Sequence, residues 1–334
     1  MPKLRTTRWQ HCCEVDSNIK DEYMRPEIQT IINEIQNVIV GKQAALTKLL
    51  VCVLADGHVL LDDVPGVGKT TLAMATARAM GLTYRRIQFT PDVLPSDITG
   101  FSVYSKDTGR LTFMPGAVCD ANILLGDEIN RTSSKTQSAL LEAMEERQVT
   151  VDGNTHTLLA PFIVIATQNN VGTAGTQLLP FAQLDRFLMR LSLGYPDIES
   201  QMAIIRDRQR GNPIENVRQI MTRENVLAMQ DAVRDVTLKD SVIAYIAQLA
   251  EKSRTDNRVE LGISPRGALF VARAAKARAY VLGRDYVVPE DVRVVLSDVC
   301  AHRIILSAQA KAARVAEMNV LEGLLQVVRP PDGV

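Results

Sequence analysis

One segment limits what this chain can be: Leu60-Leu-Asp-Asp-Val-Pro-Gly-Val-Gly-Lys-Thr-Thr71. A short apolar run leads into it, and a helical pattern from Thr71 to Met80 leaves it. Gly66 and Gly68 allow a tight backbone turn whose N–H groups point into one concavity, which suits phosphate oxygens. Lys69 adds a positive charge aimed at the outer phosphates, and the Thr70 hydroxyl offers a ligand to Mg2+. Pro65, Val67 and Thr71 complete the loop expected to hold ATP. The strict pattern asks for Gly where this chain has Asp63. A glycine-rich turn with a chance lysine is the bland alternative, and the strand, loop and helix in sequence speak against it.

The surrounding pattern is that of an α/β fold. Val59 to Leu61, Arg86 to Phe89, Ile123 to Leu125, Phe162 to Ala166 and Phe187 to Leu191 read as strands of a parallel sheet buried on both faces, separated by helical or turn segments. Hydrophobic residues make up 46% of the chain but aromatic ones only 4%, which suits helices packed on such a sheet better than a sandwich of sheets. Upstream, Ile28, Ile31, Ile32 and Ile35 predict one helix from Pro26. Leu46, Leu49, Leu50, Val53 and Leu54 predict a second after a break at Val40-Gly41. Asp152-Gly153 between β-branched residues predicts a hairpin, and Phe101 to Tyr104 with Leu111 to Phe113 a second one. Beyond Tyr195-Pro196 the sequence reads as helices only. The expected organisation is a loose extension over 1–25, a nucleotide-binding unit over 26–196, an all-α unit over 197–328 and a frayed end over 329–334.

Four further positions carry chemistry. Asp127 and Glu128 end an apolar run: the first can hold Mg2+ through water, the second can polarise an attacking water. A solvated strand end is the plain alternative. Asn169 ends the run Phe162 to Gln168, within reach of a γ-phosphate if that strand lies beside the loop strand. Arg186, in Leu184-Asp-Arg-Phe187, suits charge stabilisation on a transferring phosphate; the alternative is a surface ion pair with Asp185. Arg266 follows Ser264-Pro265, an N-cap and first-turn pair, so it stands at a helix N-terminus that favours an anion; a simple capped helix is the alternative.

Charge and cysteines narrow the rest. Lys plus Arg and Asp plus Glu number 38 each, so no global pull toward nucleic acid or anionic membrane is expected. Arg273, Lys276, Arg278 and Arg284 leave one basic helix as the basis for a nucleic-acid reading. No guanine-reading N-K-x-D motif occurs. No run approaches the roughly 20 apolar residues of a membrane span, and no secretory leader is expected. The 5 cysteines form no C-x-x-C pair, which fits reduced thiols in a cytoplasm. His11-Cys12-Cys13 alone lacks the ligands of a zinc site.

Taken together these motifs resemble the MoxR family of AAA+ ATPases over roughly Glu27 to Ser307. The resemblance rests on Val38 to Gln43, Gln88 to Gly100, Asp127 to Arg131, Lys135 to Gly153, Ala166 to Asn169, Leu184 to Phe187 and Ser264 to Gly267. It implies an AAA+ core with a helical lid, Asn169 as first sensor, Arg186 as arginine finger, Arg266 as second sensor, and Val40 and Gly41 beside the adenine. It further implies a homo-oligomer, a hexameric ring with Arg186 serving a neighbour's nucleotide. The family's role is chaperone-like: remodelling a client or helping insert a metal or cofactor, often alongside a protein with a von Willebrand A domain. Asn170, Phe181 and Gly126 depart from the commonest family pattern.

Overall fold

The computed structural model of the chain describes residues 24–106, 109–168, 179–209 and 211–331. Helices α1 (Pro26–Gln36) and α2 (Gln43–Leu54) precede β1 (Val59–Asp62), α3 (Lys69–Ala79) and β2 (Tyr84–Gln88). The short α4 (Pro95–Thr99) leads into the hairpin β3 (Gly100–Ser105) and β4 (Arg110–Pro115), followed by β5 (Ile123–Asp127) and α5 (Ser134–Glu146). A second hairpin, β6 (Gln148–Val151) and β7 (Asn154–Thr157), comes before β8 (Ile163–Gln168), the one-turn α6 (Phe181–Leu184) and β9 (Met189–Leu191). Then follow α7 (Ile198–Arg208), α8 (Arg223–Asp235), α9 (Asp240–Thr255), β10 (Val259–Leu261), α10 (Pro265–Val281), α11 (Pro289–Cys300), β11 (Ile305–Leu306), α12 (Ala308–Ala312) and α13 (Glu317–Val327).

Five strands form one parallel sheet in the order β2-β5-β8-β1-β9. Its central strands explain why the sequence runs are apolar without alternation. Val59, Leu61, Ile123, Leu125, Ile163 and Ile165 enter the core shared with α1, α2 and α3. Leu60, Leu124, Val164 and Ala166 face the opposite core, against Phe89, Leu140 and Phe187. Successive side chains point to opposite faces, so a strand covered on both sides must be apolar at every position. Each such Leu or Ile contributes about 1.5–3 kcal/mol by leaving water. Helix α3 lies close to the sheet because Ala73, Ala75, Ala77 and Ala79 are buried small residues.

Three expectations are corrected. Strand β2 is a sheet edge, and Arg85, Arg86 and Gln88 are exposed rather than buried on both faces. Helix α3 begins at Lys69, not Thr71, because Gly68 takes the left-handed conformation that turns the chain into it. The C-terminal part is not purely helical: β10 and β11 pair antiparallel. Their burial is partial and they are three and two residues long, too short to leave an apolar signature. Both expected hairpins form. The core under α1 to α3 continues without a break into residues of α8 to α11 and α13. Among the described residues Cys52, Cys119 and Cys300 are unpaired thiols, and no helix is long and apolar enough to cross a membrane.

Candidate nucleotide site and a remote arginine cluster

The phosphate loop leaves β1 and enters α3 with Gly66 at φ 83° and Gly68 at φ 96°. No side chain caps the first turn of α3, so its amides remain available to an anion. Asp63, the departure from the strict pattern, has a structural task. Its carboxylate accepts from Ser192 Oγ at 2.9 Å, Gly194 N at 3.1 Å and Leu193 N, tying the loop to the end of β9. Lys69 Nζ donates to the Asp63 carbonyl at 2.8 Å. Burial lowers the Lys69 pKa, while Asp63, Asp127, Asp62 and Glu128 oppose that shift by their nearby charge.

Beside the loop is a cavity of about 350 Å³, lined by Val38, Ile39, Val40, Val67, Thr71 and Tyr195 among others. Its apolar walls suit a flat base and its glycine side a phosphate chain. Gly41 stands next to it at φ 71°, and a side chain there would collide with Ser200 Oγ. Val40 lines the cavity, and Gly41 packs against Ser200 of α7.

Strand β8 lies between β1 and β5, which brings the loop and the acids to one end of the strands. Thr167 fixes the acids: its hydroxyl donates to Asp127 Oδ1 at 2.7 Å and accepts from Glu128 N at 2.9 Å. Asp127 Oδ2 meets Arg86 at 2.7 Å. Glu128, at φ 58°, accepts from Arg131 Nη1 at 2.7 Å and Gln88 Nε2 at 3.1 Å. Thr167, Gln88 and Arg131 were inside motif stretches and Arg86 inside a predicted strand, yet only the folded sheet reveals their aim. Among the described residues no three acids, histidines or cysteines converge. Mg2+ keeps several waters and shares one or two protein oxygens with substrate phosphates. The Thr70 hydroxyl and the Asp127 carboxylate are oxygen donors of the kind Mg2+ takes. Asn169 and Asn170 lie outside the described residues, but Gln168 pairs with Asp62 in register, so β8 does run beside the loop strand.

Arg186 and Arg266 sit elsewhere. Val59 pairs with Met189, so Arg186 precedes the start of β9, at the end of the strands opposite the loop. The four residue steps from Val59 to Asp63 alone span about 13 Å, beyond the reach of one side chain. Arg186 does not pair with Asp185; its Nε is 3.1 Å from Glu145 Oε2. Glu145 Oε1 accepts from Arg266 Nη2. Arg266 stands in the first turn of α10, where Ser264 accepts from Gly267 N at 3.0 Å as expected of an N-cap. Asp185 instead engages Arg303 at 2.8 Å. Arg303 is fully buried and also donates to the carbonyls of Asp185, Phe187, Leu188 and Val299, so it braces the segment that carries Arg186. Arg303 gave no sequence signal, and Glu145, though inside the stretch Lys135 to Gly153, gave none of its role, because their partners come from other elements.

The basic helix turns its charges inward. Arg273 donates to the Asp56 carbonyl at 2.9 Å, Lys276 to that of Arg234 at 2.8 Å, and Arg278 and Arg284 engage buried Asp291. Arg284 lies beyond the end of α10 and not on the expected helix. Gly126 also has a reason: an added Cβ would stand 3.0 Å from the buried Phe89 ring.

A five-stranded parallel sheet with a phosphate loop after β1, acids ending β5 and a helical C-terminal part defines the AAA+ ATPase fold. Comparison with known proteins agrees. Residues 58–189 match the ATPase family associated with various cellular activities, and residues 251–323 the AAA lid domain. The chain is 43% identical over 310 residues to the uncharacterized protein YeaC of Bacillus subtilis, covering 93% of this chain and 97% of YeaC. It is 38% identical over 322 residues to the chaperone MoxR1 of Mycobacterium tuberculosis, covering 93% and 85%. A crystal structure of a candidate ATPase from Cytophaga hutchinsonii superposes with a TM-score of 0.85 at 38% identity, covering 92% of this chain and 95% of that one. The chain belongs to the MoxR family of AAA+ ATPases.

Proposed function

We propose that the protein is a motor that hydrolyses ATP with Mg2+ and uses the energy to remodel or mature a client protein. The observation that carries this reading is the Thr167 hydroxyl, which holds Asp127 and the Glu128 amide beside β1, the strand that leads through the loop to Lys69. In this reading residues 26–196 bind nucleotide and 197–328 form the lid; the expected loose ends, 1–25 and 329–334, lie mostly outside the described residues, and Arg25 itself is tied to Val281 and Tyr280. The loop amides and Lys69 hold the β- and γ-phosphates. Mg2+, when bound by Thr70 and Asp127, neutralises charge on those phosphates. Glu128 leaves Gln88 and Arg131 to polarise the attacking water, and Asn169 orients the γ-phosphate. Arg186 and Arg266, too far from their own loop, serve the nucleotide of the next subunit in a ring, a hexamer by family resemblance. The relative named a chaperone supports the client role; metal or cofactor insertion, a von Willebrand A partner and a cytoplasmic location follow from the resemblance alone.

Phosphate release by the wild type against Glu128→Gln tests the reading. Loss of the polarising carboxylate lowers turnover by about 10²–10⁴-fold with ATP binding retained. Equal rates near background would leave a nucleotide-gated scaffold with little turnover instead.

A further inference from the structure

A cavity of about 130 Å³ opens at the end of the strands opposite the phosphate loop, lined among others by Asp56, Glu145, Arg147, Arg186, Arg266 and Arg273. Four guanidinium groups face two carboxylates there. Asp56 accounts for two of the four: Arg147 donates to its carbonyl at 2.9 Å and to Oδ1 at 3.2 Å, and Arg273 to its carbonyl at 2.9 Å. Glu145 accounts for the other two. Its two oxygens divide between Arg186 and Arg266, which come from segments 80 residues apart in sequence.

We infer that Glu145 is the positioning residue for the trans-acting pair, setting the spacing and direction of Arg186 and Arg266 before a neighbour's γ-phosphate arrives. The inference rests on the reading of Arg186 and Arg266 as groups that serve the next subunit. Two cations brought to one point repel, and a single carboxylate between them removes that cost while fixing both. Glu145 holds Arg186 by Nε, the inner edge of the guanidinium, so the terminal nitrogens extend past the contact. Arg266 is fixed from a second side by the Phe270 ring, 5.9 Å from its Cζ. Glu145 itself stands on the last turn of α5, and the next residue but one, Arg147, anchors that turn through Asp56 and the Phe162 carbonyl. A side chain that was only a surface charge would have one partner and no such anchoring. The consequence is a link between the lid, which carries Arg266, and the core, which carries Arg186: lid rotation reaches the finger through one carboxylate.

The test compares steady-state ATP turnover of Glu145→Ala, Glu145→Gln, Arg186→Ala and Glu145→Ala/Arg186→Ala in the assembled full chain, with Glu146→Ala as an exposed control one residue away. Misplacing the pair lowers kcat of Glu145→Ala by about tenfold or more with little change in KM for ATP, because each subunit's own loop is intact. Glu145→Gln, which keeps one acceptor oxygen, falls between that variant and wild type. Glu146→Ala stays at wild type. The double variant matches Arg186→Ala within about twofold, since the two side chains act as one unit. Wild-type kcat in both Glu145 variants, with Arg186→Ala impaired, overturns this inference alone. So does a double variant whose losses multiply. Full turnover in Arg186→Ala overturns the trans-acting reading and this inference with it. If Glu145→Ala fails to assemble, Glu145→Gln in the same cycle decides the matter by the same criteria.

Discussion

At the scale of single residues, Asp63 shows how a motif position can be taken over by structure. The strict pattern wants a glycine there, and the carboxylate instead satisfies two backbone amides and a hydroxyl at the end of β9. Asp63→Gly would bring the sequence nearer the pattern and yet leave those amides without their acceptor. It is expected to lower unfolding free energy by about 1–3 kcal/mol and to weaken ATP binding, read by urea denaturation and nucleotide titration. An unchanged urea midpoint would show that the tie contributes nothing. Gly126 follows the same logic in reverse: the family's commoner alanine would crowd Phe89, so the smaller residue here accompanies a filled core.

At the scale of elements, the segment between α6 and β9 matters most, because four residues there carry the finger and receive the lid. Arg303 arrives from beyond α11 and donates to Asp185 and to four carbonyls at full burial. A lysine keeps the charge but has one nitrogen where the guanidinium has three. Arg303→Lys should therefore strand buried acceptors, costing about 1–3 kcal/mol in a urea melt and lowering ATP turnover through Arg186. Wild-type stability in that variant would mean the segment holds itself. Edge strand β2 is legible as a strand but not as an edge, since its pattern depends on having no neighbour beyond it. The hairpins were legible because turn chemistry is local; the stacking of Phe113 on His156, 3.8 Å between centroids, joins them and was not.

At the scale of the molecule, two buried histidines set a pH limit. His58 uses both ring nitrogens: Nε2 donates to the Met144 carbonyl at 3.0 Å and Nδ1 accepts from Val164 N at 2.9 Å. Burial first, then Arg147, holds its pKa well below the usual value; burial first, then Arg303, does so for His302. Both are neutral when folded and take up a proton when unfolded below pH about 6.5. Stability is thus flat above that pH on their account and falls below it, by up to about 1.4 kcal/mol per pH unit for each histidine. Urea midpoints from pH 8 to pH 5 check this, and a flat profile below pH 6.5 would contradict it. The ring reading has its own test at this scale. Lys69→Ala and Arg186→Ala subunits, each inactive alone, should regain on the order of one quarter of wild-type turnover when mixed and co-assembled. No recovery after proven co-assembly would count against action across an interface.

By itself the sequence determined the phosphate loop, the acid pair, the hairpins, the order of strands and helices and the family, because those depend on neighbours within a few residues or on recognisable stretches. Only the tertiary structure decided that Asp63 ties the loop to β9, that Gln88 and Arg131 hold Glu128, that the basic helix spends its charge internally, and that Glu145 gathers Arg186 and Arg266. The reason is distance along the chain. A side chain whose partner comes from another element leaves no periodicity, whether that partner is three residues away or more than a hundred, and the pairing is set only when the sheet order and the packing of the C-terminal helices bring the two together.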